Sequence, residues 1–455
     1  MTAPVLVPPA SNAAVARPMA EREDMPAAAG SGGTRPRIVG LRCRACGRPE
    51  ALGPSFVCAA CFGPLEVEYD EDIVRATVSR EAIAARAPGI WRYLELLPVD
   101  APPARSLAVG STPLVEATRL RSALGVDRLW LKDDTRNPSL SFKDRAVALA
   151  TAKALDFGFE ALACASTGNL AGAVAAAAAN AGLPAYVFIP ADLEPEKVEH
   201  ALAYGATVVP VDGTYDDVNR LCLELCDELK WAFVNVNLRP FYAEGSRTLA
   251  FEIAETLGWR LPDVIVAPIA SGSMFTKLGK AVDELARAGL VERKPVRFVG
   301  GQALGCAPVA TAFEAGEEDW QPVREPDTIV RSLAIGSPAD GRYALALARR
   351  TGGSIEGIPD AVTADAIRRL AREEGIFAET AGGVTYAAAE AARRRGVIGP
   401  DDEVVVLLTG NGLKTPQART FGLDRGVGIA RPGEPGLAPV VPPSGAAFQA
   451  WLESA

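Results

Sequence analysis

The sequence predicts an α/β protein with two open parallel-sheet domains and a small N-terminal ribbon. Three observations lead to this prediction. Runs of β-branched residues alternate with Ala-rich helical patterns over most of the chain, and such βα repetition is typical of parallel sheets. The 455 residues exceed what one hydrophobic core usually organises, and 49% of them are apolar, so two larger cores can be filled. Two Cys-x-x-Cys pairs precede the βα pattern and indicate a separate ribbon.

The domain boundaries are predicted from changes in composition along the chain. The N-terminal segment is rich in Ala and Pro and has too little to bury, which is typical of disorder. A Pro- and Gly-rich segment after Arg431 ends the folded part. The predicted division is a disordered tail over 1–37, a ribbon over 38–69, a large domain over 71–144 plus 261–430, a small domain over 145–260 and a C-terminal tail over 431–455.

The periodicity of apolar residues locates the main elements of the two domains. Strands are predicted at 161–166, 185–189, 207–211, 263–268, 296–300 and 403–408. Amphipathic helices are predicted at 195–204, 215–229 and 363–374. Because ligands of open parallel sheets sit beyond the carboxyl ends of the strands, we expect the loops at those ends to carry the chemistry.

The net charge of the chain limits the classes of partner that it can bind. The 47 basic and 56 acidic residues give a net charge of −9, which does not attract nucleic acid or an anionic membrane surface. No stretch approaches the roughly 20 apolar residues that would span a bilayer, and the first residues lack the pattern of a secretory signal. We therefore expect a cytoplasmic protein that binds neither nucleic acid nor membrane, with a homodimer as one candidate assembly.

Four of the eight cysteines form a metal-binding pattern. Cys43 and Cys46 make one Cys-x-x-Cys pair, and Cys58 and Cys61 make a second pair, with eleven residues between the two pairs. Such knuckles let four thiolates close a tetrahedron around Zn²⁺, so a structural zinc ribbon is predicted. Four unrelated thiols or a redox pair are the alternatives. The remaining cysteines are expected to fill apolar cores, namely Cys164, Cys222, Cys226 and Cys306.

Lys143 is the first candidate for chemistry. An Asn-Pro turn precedes it, and Ser139 or Ser141 can cap the helix that follows. In the first turn of that helix, the positive end of the helix dipole and partial burial would lower the lysine pKa and make the amine a better nucleophile toward an aldehyde. The alternative is a solvated lysine beside Asp144 and Arg145.

Three further loops follow predicted strands and begin helices or turns. The loop at 166–169, Ser-Thr-Gly-Asn, offers N–H groups and hydroxyls that suit a carboxylate. The loop at 270–273, Ala-Ser-Gly-Ser, suits a phosphate. The turn at 409–412, Thr-Gly-Asn-Gly, places a hydroxyl at the end of the last strong strand. Each of these, taken alone, could be an ordinary capped or Gly-rich turn.

With these four segments in this order, the chain resembles the fold-type II pyridoxal-5′-phosphate (PLP) enzymes, which have the tryptophan synthase β-like fold. Among them it is most similar to the threonine synthase family, from near Arg42 to about Arg419. The strings that carry the resemblance are Asn-Pro-Ser-Leu-Ser-Phe-Lys-Asp-Arg at 137–145, Ser-Thr-Gly-Asn at 166–169, Ala-Glu-Gly-Ser-Arg-Thr at 243–248 and Leu-Thr-Gly-Asn-Gly-Leu-Lys at 408–414.

The resemblance implies a PLP site built from these loops. Lys143 would hold the cofactor as a Schiff base and act as the general base for the Cα proton. Asn169 would bond the 3′ oxygen of the cofactor, and Thr409 would meet the pyridine nitrogen. A neutral hydroxyl at that nitrogen suits elimination and replacement rather than transamination. The phosphate would be bound by the backbone amides of one loop, namely Ser271, Gly272, Ser273 and Met274.

The resemblance also implies a lyase of threonine biosynthesis that converts O-phospho-L-homoserine and water into L-threonine and phosphate. Ser166 and Thr167 would hold the α-carboxylate of this small amino-acid substrate, while Lys197 and Arg239 would hold its phosphate. Tyr242 departs from the family, because better-known members carry an arginine there. The turn at 379–383 departs from the usual Glu-Pro or Ser-rich form.

Two alternatives remain from the sequence. One is a sister PLP lyase that acts on serine, threonine, O-phosphoserine or another amino acid by β-elimination or β-replacement. The other is a non-catalytic protein in which the zinc ribbon serves a binding or regulatory role.

Overall fold

The structure is a computed structural model that describes residues 36–166, 168–191, 198–213, 215–416, 418, 421, 440 and 442–454. Most of the predicted N-terminal tail over 1–37 lies outside the described residues, as do Thr167 and Lys197. Arg37, at the end of that predicted tail, is described, and it donates to the carbonyl oxygens of Leu94 and Leu97 at 2.6 and 2.7 Å.

The strands and helices alternate through the chain as the βα pattern predicts. In chain order the strands are β1 Ile38–Cys43, β2 Pro49–Glu50, β3 Leu65–Tyr69, β4 Leu114–Glu116, β5 Arg128–Asp133, β6 Ala161–Ala165, β7 Ala185–Pro190, β8 Thr207–Val211, β9 Trp231–Phe233, β10 Val264–Pro268, β11 Arg297–Ala303, β12 Ser354–Ile358 and β13 Glu403–Leu408. The helices are α1 Glu71–Thr77, α2 Arg80–Ala84, α3 Thr118–Leu124, α4 Lys143–Asp156, α5 Asn169–Ala181, α6 Glu199–Ala203, α7 Tyr215–Glu228, α8 Arg239–Glu244, α9 Thr248–Thr256, α10 Ser273–Arg287, α11 Pro308–Glu314, α12 Gly341–Arg350, α13 Asp360–Glu374, α14 Thr380–Arg394 and α15 Gly445–Ser454.

The described strands form three sheets. The N-terminal sheet is antiparallel, with the order β2-β1-β3, and it forms the ribbon. The second sheet has the order β8-β7-β6-β9 and is parallel throughout. The third has the order β12-β11-β10-β13-β5-β4, and it is parallel except for β4, which pairs with β5 in antiparallel fashion at the edge. One antiparallel edge strand is common on otherwise parallel sheets of this class.

The six strands predicted from the sequence are β6, β7, β8, β10, β11 and β13. All strands of the four-stranded sheet fall in the range predicted for the small domain, and all strands of the six-stranded sheet fall in the two ranges predicted for the large domain. The boundaries of the domains themselves remain predictions.

The ribbon packs on the core of the four-stranded sheet rather than standing apart. Leu41, Leu65 and Val67 of the ribbon belong to one buried cluster with Val147 of α4 and Val174 of α5. Helix α5 is built almost entirely from Ala, Gly and Val, so it can approach its neighbours closely. Burying these apolar side chains in a shared cluster stabilises the attachment of the ribbon to this core.

Among the helices that the structure describes, none combines the length and the apolar character needed to cross a bilayer.

Candidate active site

The sequence-predicted loops meet where neighbouring parallel strands end. Strands β10, β13 and β5 are adjacent, so the segments that follow them lie at one edge of the large sheet. The N–H of Phe142 donates to the carbonyl oxygen of Thr409 at 2.9 Å, and the N–H of Asn411 donates to that of Leu140 at 3.0 Å. These two bonds join the lysine loop directly to the turn after the last strand.

Lys143 is the first residue of α4, and its amine is held by a hydroxyl. The Nζ atom donates to the hydroxyl oxygen of Tyr242 at 2.9 Å. No carboxylate among the described side chains lies within ion-pair distance of this amine. The two charged residues that follow Lys143 in the sequence are buried, since Asp144 and Arg145 are only 3% and 0% exposed. The half-buried amine of Lys143 therefore bonds Tyr242 rather than either of these neighbours.

The expected serine cap of α4 is wrong. Phe142 occupies the N-cap position. The hydroxyl of Ser139 donates to the Asp144 carboxylate at 2.6 Å, and the N–H of Ser139 does so at 2.7 Å, so Asp144 reaches back to the serine. A carboxylate in the first turn can accept from upstream donors in this way, as in a capping box.

Glu379 is the residue at which Asn169 and Thr409 converge. The Nδ2 group of Asn169 donates to Glu379 Oε2 at 2.8 Å, and the side chain of Thr409 lies near the same carboxylate. Burial raises the pKa of Glu379, against the lowering effect of the Asn169 bond and of the nearby Lys414 and Lys143 charges. The sequence marked the turn at Glu379 as a departure from the family but did not assign it to the site.

The loop predicted to bind a phosphate is shaped by a glycine. Gly272 has a φ of +91°, and a Cβ at this position would lie 2.8 Å from the carbonyl oxygen of Asp340. Both facts require glycine here. Ser273 and Met274 then begin the 15-residue helix α10, and Gly272 at its N-cap has no side chain to satisfy the first N–H groups. Such a helix start is an anion-binding arrangement.

Only some of the residues predicted to bind the substrate are among the described residues. Ser166 follows β6, and its hydroxyl accepts from the N–H of Gly168 at 3.4 Å. Arg239 begins α8 and donates to Asp340 Oδ2 at 2.8 Å, so it lies beside the loop that contains Gly272. Thr167 and Lys197 lie outside the described residues, as noted above.

The four ribbon cysteines are brought together as predicted. Their sulfur atoms all lie within 4.8 Å of one another, with the Cys43–Cys61 pair at 3.5 Å and the Cys46–Cys58 pair at 3.8 Å. Four thiolates at about 2.3 Å from Zn²⁺ in a tetrahedron are about 3.8 Å apart, so this donor set fits the ion.

Sequence reasoning missed two further residues of the site. Asp340 contacts the predicted phosphate loop, and Lys414 lies close enough to Glu379 and Asp144 for their charges to act on its pKa, which burial lowers. Lys414 closes the string at 408–414 and could have been found from it. Asp340 belongs to no motif of its own.

Comparisons with known proteins place the chain in a family. Residues 105–410 match the family described as pyridoxal-phosphate dependent enzyme. The threonine synthase of Methanocaldococcus jannaschii is 35% identical over 379 residues, which are 83% of this chain and 93% of that protein. The threonine synthase of Methanosarcina acetivorans is 35% identical over 83% of this chain and 92% of its own length, and that of Synechocystis sp. is 37% identical over 72% and 84%.

The chain belongs to the threonine synthase family of pyridoxal-phosphate dependent enzymes. The resemblance inferred from the four loops is thereby confirmed, together with the expectation of a PLP-dependent lyase.

Solved structures support the fold independently. The structure of maize serine racemase superposes with a TM-score of 0.55 at 20% identity, covering 66% of this chain and 89% of that chain. The L-serine ammonia-lyase from Rhizomucor miehei superposes with a TM-score of 0.56 at 22% identity, covering 66% and 94%. The predicted fold class is confirmed.

The residues present fit the cofactor of this family. The amine of Lys143 is bonded to a neutral group, and the first N–H groups of α10 have no side-chain cap at Gly272. The buried hydroxyls of Ser141 and Thr380 have no hydrogen-bond partner within the described part of the chain, which is expected where a ligand completes the bonding.

Proposed function

We propose that the chain converts O-phospho-L-homoserine and water into L-threonine and inorganic phosphate. The observation that carries this proposal is the position of Lys143. The residue begins α4, the N–H of the preceding Phe142 donates to the Thr409 carbonyl oxygen, and the lysine amine bonds the neutral hydroxyl of Tyr242. The coverage of 93% of the Methanocaldococcus jannaschii threonine synthase supports the same reaction.

The roles follow from what each side chain can do. PLP, when bound to this lysine, would supply an electron sink for the substrate's Cα. The Lys143 amine is the base placed to move the Cα proton, and the Tyr242 hydroxyl, 2.9 Å away, orients that amine. Asn169 bonds the buried carboxyl of Glu379, Thr409 lies near it, and both side chains are proposed to contact the cofactor ring.

The substrate and cofactor anions require separate donors. The first N–H groups of α10, at Ser273 and Met274, are proposed to bind the cofactor phosphate together with Ser271 and Gly272. Ser166 and Thr167 are proposed for the α-carboxylate, and Lys197 and Arg239 for the substrate phosphate.

We also propose that the four ribbon thiols hold one structural Zn²⁺. The distances between their sulfur atoms support this assignment. Metal analysis of protein purified without chelators is expected to give one zinc ion per chain. Cys46→Ser should lose that ion while Cys222→Ser, at a buried cysteine outside the ribbon, retains it. Retention of full zinc by Cys46→Ser would contradict the assignment.

The reaction is tested by product analysis on PLP-loaded enzyme. O-phospho-L-homoserine should give phosphate and L-threonine in equal amounts, while L-serine, L-threonine and O-phospho-L-serine are run in parallel. Lys143→Ala should lose both products and the visible absorption of bound PLP. Lys230→Ala, at a lysine whose side chain is 64% exposed, is the control and should retain both. An inert phosphohomoserine together with a keto acid from another substrate would identify a sister lyase instead.

A further inference from the structure

One arginine of the ribbon bonds a residue that lies outside the ribbon. Arg44 lies in the chain between Cys43 and Cys46. Its guanidinium donates to Asp340 Oδ1 at 2.8 Å and lies 3.8 Å above the ring of Tyr343. The side chains of Arg44 and Asp340 are only 18% and 4% exposed, so this ion pair is largely shielded from water.

Asp340 in turn holds the loop proposed to bind the cofactor phosphate. Its N–H donates to the carbonyl oxygen of Ser271 at 2.8 Å. Its own carbonyl oxygen and Cβ lie 2.8 and 3.1 Å from the place that a Cβ of Gly272 would take. The second carboxylate oxygen accepts from Arg239 at 2.8 Å. Asp340 is therefore fixed on one side by two arginines and on the other side by the loop.

This arrangement matters because backbone N–H groups bind a phosphate well only when they are already oriented. An ordered loop binds without first losing conformational freedom, and a disordered one binds more weakly. Removing Arg44 leaves the Oδ1 atom of Asp340 without its donor while Arg239 still holds the other oxygen, so we expect the carboxylate to shift. A shift of Asp340 would move Ser271 and Gly272 with it, since all three are in direct contact.

We propose that Arg44 is a positioning residue for the cofactor's phosphate, acting through Asp340, so that the ribbon takes part in retaining the cofactor. The inference rests on the proposed phosphate-binding role of residues 271–274. Arg44 does not touch the cofactor itself in this arrangement. Its effect should be confined to ligands that carry the phosphate.

The test compares PLP with pyridoxal, which lacks the phosphate. Each is titrated into cofactor-free enzyme, and its dissociation constant is read from the visible absorption of the bound form. Arg44→Ala should raise the dissociation constant of PLP by about tenfold, as expected for loss of a hydrogen bond to a charged group. The dissociation constant of pyridoxal should stay unchanged. Asp340→Asn should weaken PLP similarly. The double variant should be no worse than the poorer single variant, because both act through one contact.

The matched control is Arg42→Ala. Arg42 is an arginine of the same ribbon, but it pairs with Glu68 and the carbonyl oxygen of Gly47, both inside the ribbon. It should leave both dissociation constants unchanged. Arg44→Lys keeps the charge but loses the planar guanidinium group. It should therefore weaken the binding of PLP and not that of pyridoxal, and it provides the test if Arg44→Ala does not fold.

Three results would overturn the inference. They are an unchanged affinity for PLP in Arg44→Ala and Arg44→Lys, an equal loss for PLP and pyridoxal, or fully additive losses in the double variant. If the wild-type enzyme itself binds pyridoxal as tightly as PLP, the phosphate role of residues 271–274 fails, and the inference with it. None of these measurements uses an amino-acid substrate, so failure of the proposed reaction would appear separately, in the product analysis.

Discussion

Glu379 is a buried carboxyl that accepts a hydrogen bond from Asn169 and lies near Thr409. Burial raises its pKa, so the folded cofactor-free chain binds this proton more tightly than the unfolded chain does. When the folded state binds more protons, stability falls as pH rises above the ordinary carboxyl pKa, and the loss is complete above the raised one. At neutral pH, this carboxyl therefore opposes folding of the cofactor-free protein.

The corresponding prediction concerns Glu379→Gln. The amide cannot ionise, so the variant should gain melting temperature over the wild type at pH 8 and gain less at pH 5. The measurement is thermal unfolding of both cofactor-free proteins at the two pH values. Glu318→Gln, at an exposed carboxylate, serves as the control and should show no such dependence. The same gain at both pH values would contradict the prediction.

At the residue scale, the sequence could identify side chains that belong to a continuous string. Lys143, Asn169 and Thr409 each stand in one. Glu379 and Asp340 could not be assigned in this way, because their importance comes from contacts across 210 and 296 positions of the chain, with Asn169 and Arg44 respectively. The serine cap was wrongly predicted because Asp144 competes for the Ser139 hydroxyl.

At the scale of elements, the approach of α4 to the turn after α8 positions the lysine. Gly245 follows α8, and a Cβ there would lie 2.2 Å from the carbonyl oxygen of Arg145 and 2.7 Å from the Cα of Ala146. Both atoms belong to the backbone of α4, so they cannot move aside as a side chain could. Only glycine lets these two elements come so close.

Gly245→Ala is therefore expected to destabilise the protein by about 1–3 kcal/mol, the usual cost of overpacking. Since Lys143 is the first residue of α4, the rate of turnover should fall as well. Denaturant unfolding and steady-state rates measure the two effects. Gly53→Ala is the control, because nothing lies within 4 Å of its Cβ position, and it should change stability by less than about 0.5 kcal/mol. Equal stabilities of the two variants would show that α4 can move away.

The elements themselves were predicted unevenly. The buried runs of β6, β10 and β13 stand out because parallel strands covered on both faces are continuously apolar. Strands β9 and β12 were missed, since one has three residues and the other contains Glu356 and Gly357 within five. Strand β5 was also missed, because it carries Lys132. The burial of this lysine depends on its bond to Glu252, which is distant in the sequence.

At the scale of the whole molecule, an ionic network joins the two parts of the chain that form the site. The Arg145 side chain, from α4, is fully buried and donates to Asp134 at 2.7 Å and to Glu252 at 2.7 Å. Lys132 of β5 donates to the other oxygen of Glu252 at 2.6 Å. Burial alone would raise the pKa of Glu252, but the charges of Arg145 and Lys132 hold it at about 2.

Glu252→Gln should destabilise the protein by about 3–5 kcal/mol, because two buried cations lose their shared anion. In the wild type, this contribution is present above the ordinary glutamate pKa of 4.5 and is lost as pH falls toward about 2. Denaturant unfolding at pH 7 measures the first effect, and the dependence of stability on pH between 5 and 2.5 measures the second. Asp283→Asn, which removes an exposed pair with Arg350, should cost less than about 1 kcal/mol. Similar losses in both variants would contradict the assigned role of Glu252.

Metal removal tests whether the ribbon unfolds together with the rest of the chain. Because Leu41, Leu65 and Val67 share a buried cluster with residues of α4 and α5, loss of the proposed zinc ion should lower the melting temperature of the entire chain. Calorimetry before and after treatment with a chelator measures this, with zinc added back as the control. A separate low-temperature transition, with the main transition unchanged, would show instead that the ribbon unfolds alone.

The position of β13 has a consequence for synthesis. This strand is the last of its sheet to be made, yet it lies between β10 and β5 and leads to the Thr409 carbonyl that accepts from the N–H of Phe142. A nascent chain has released the lysine loop long before it reaches residue 409, so the cofactor site cannot be completed during most of translation. A truncated product that ends before β13 lacks both the centre of the sheet and the neighbour of the lysine loop. We therefore expect a chain that ends before β13 not to bind the cofactor.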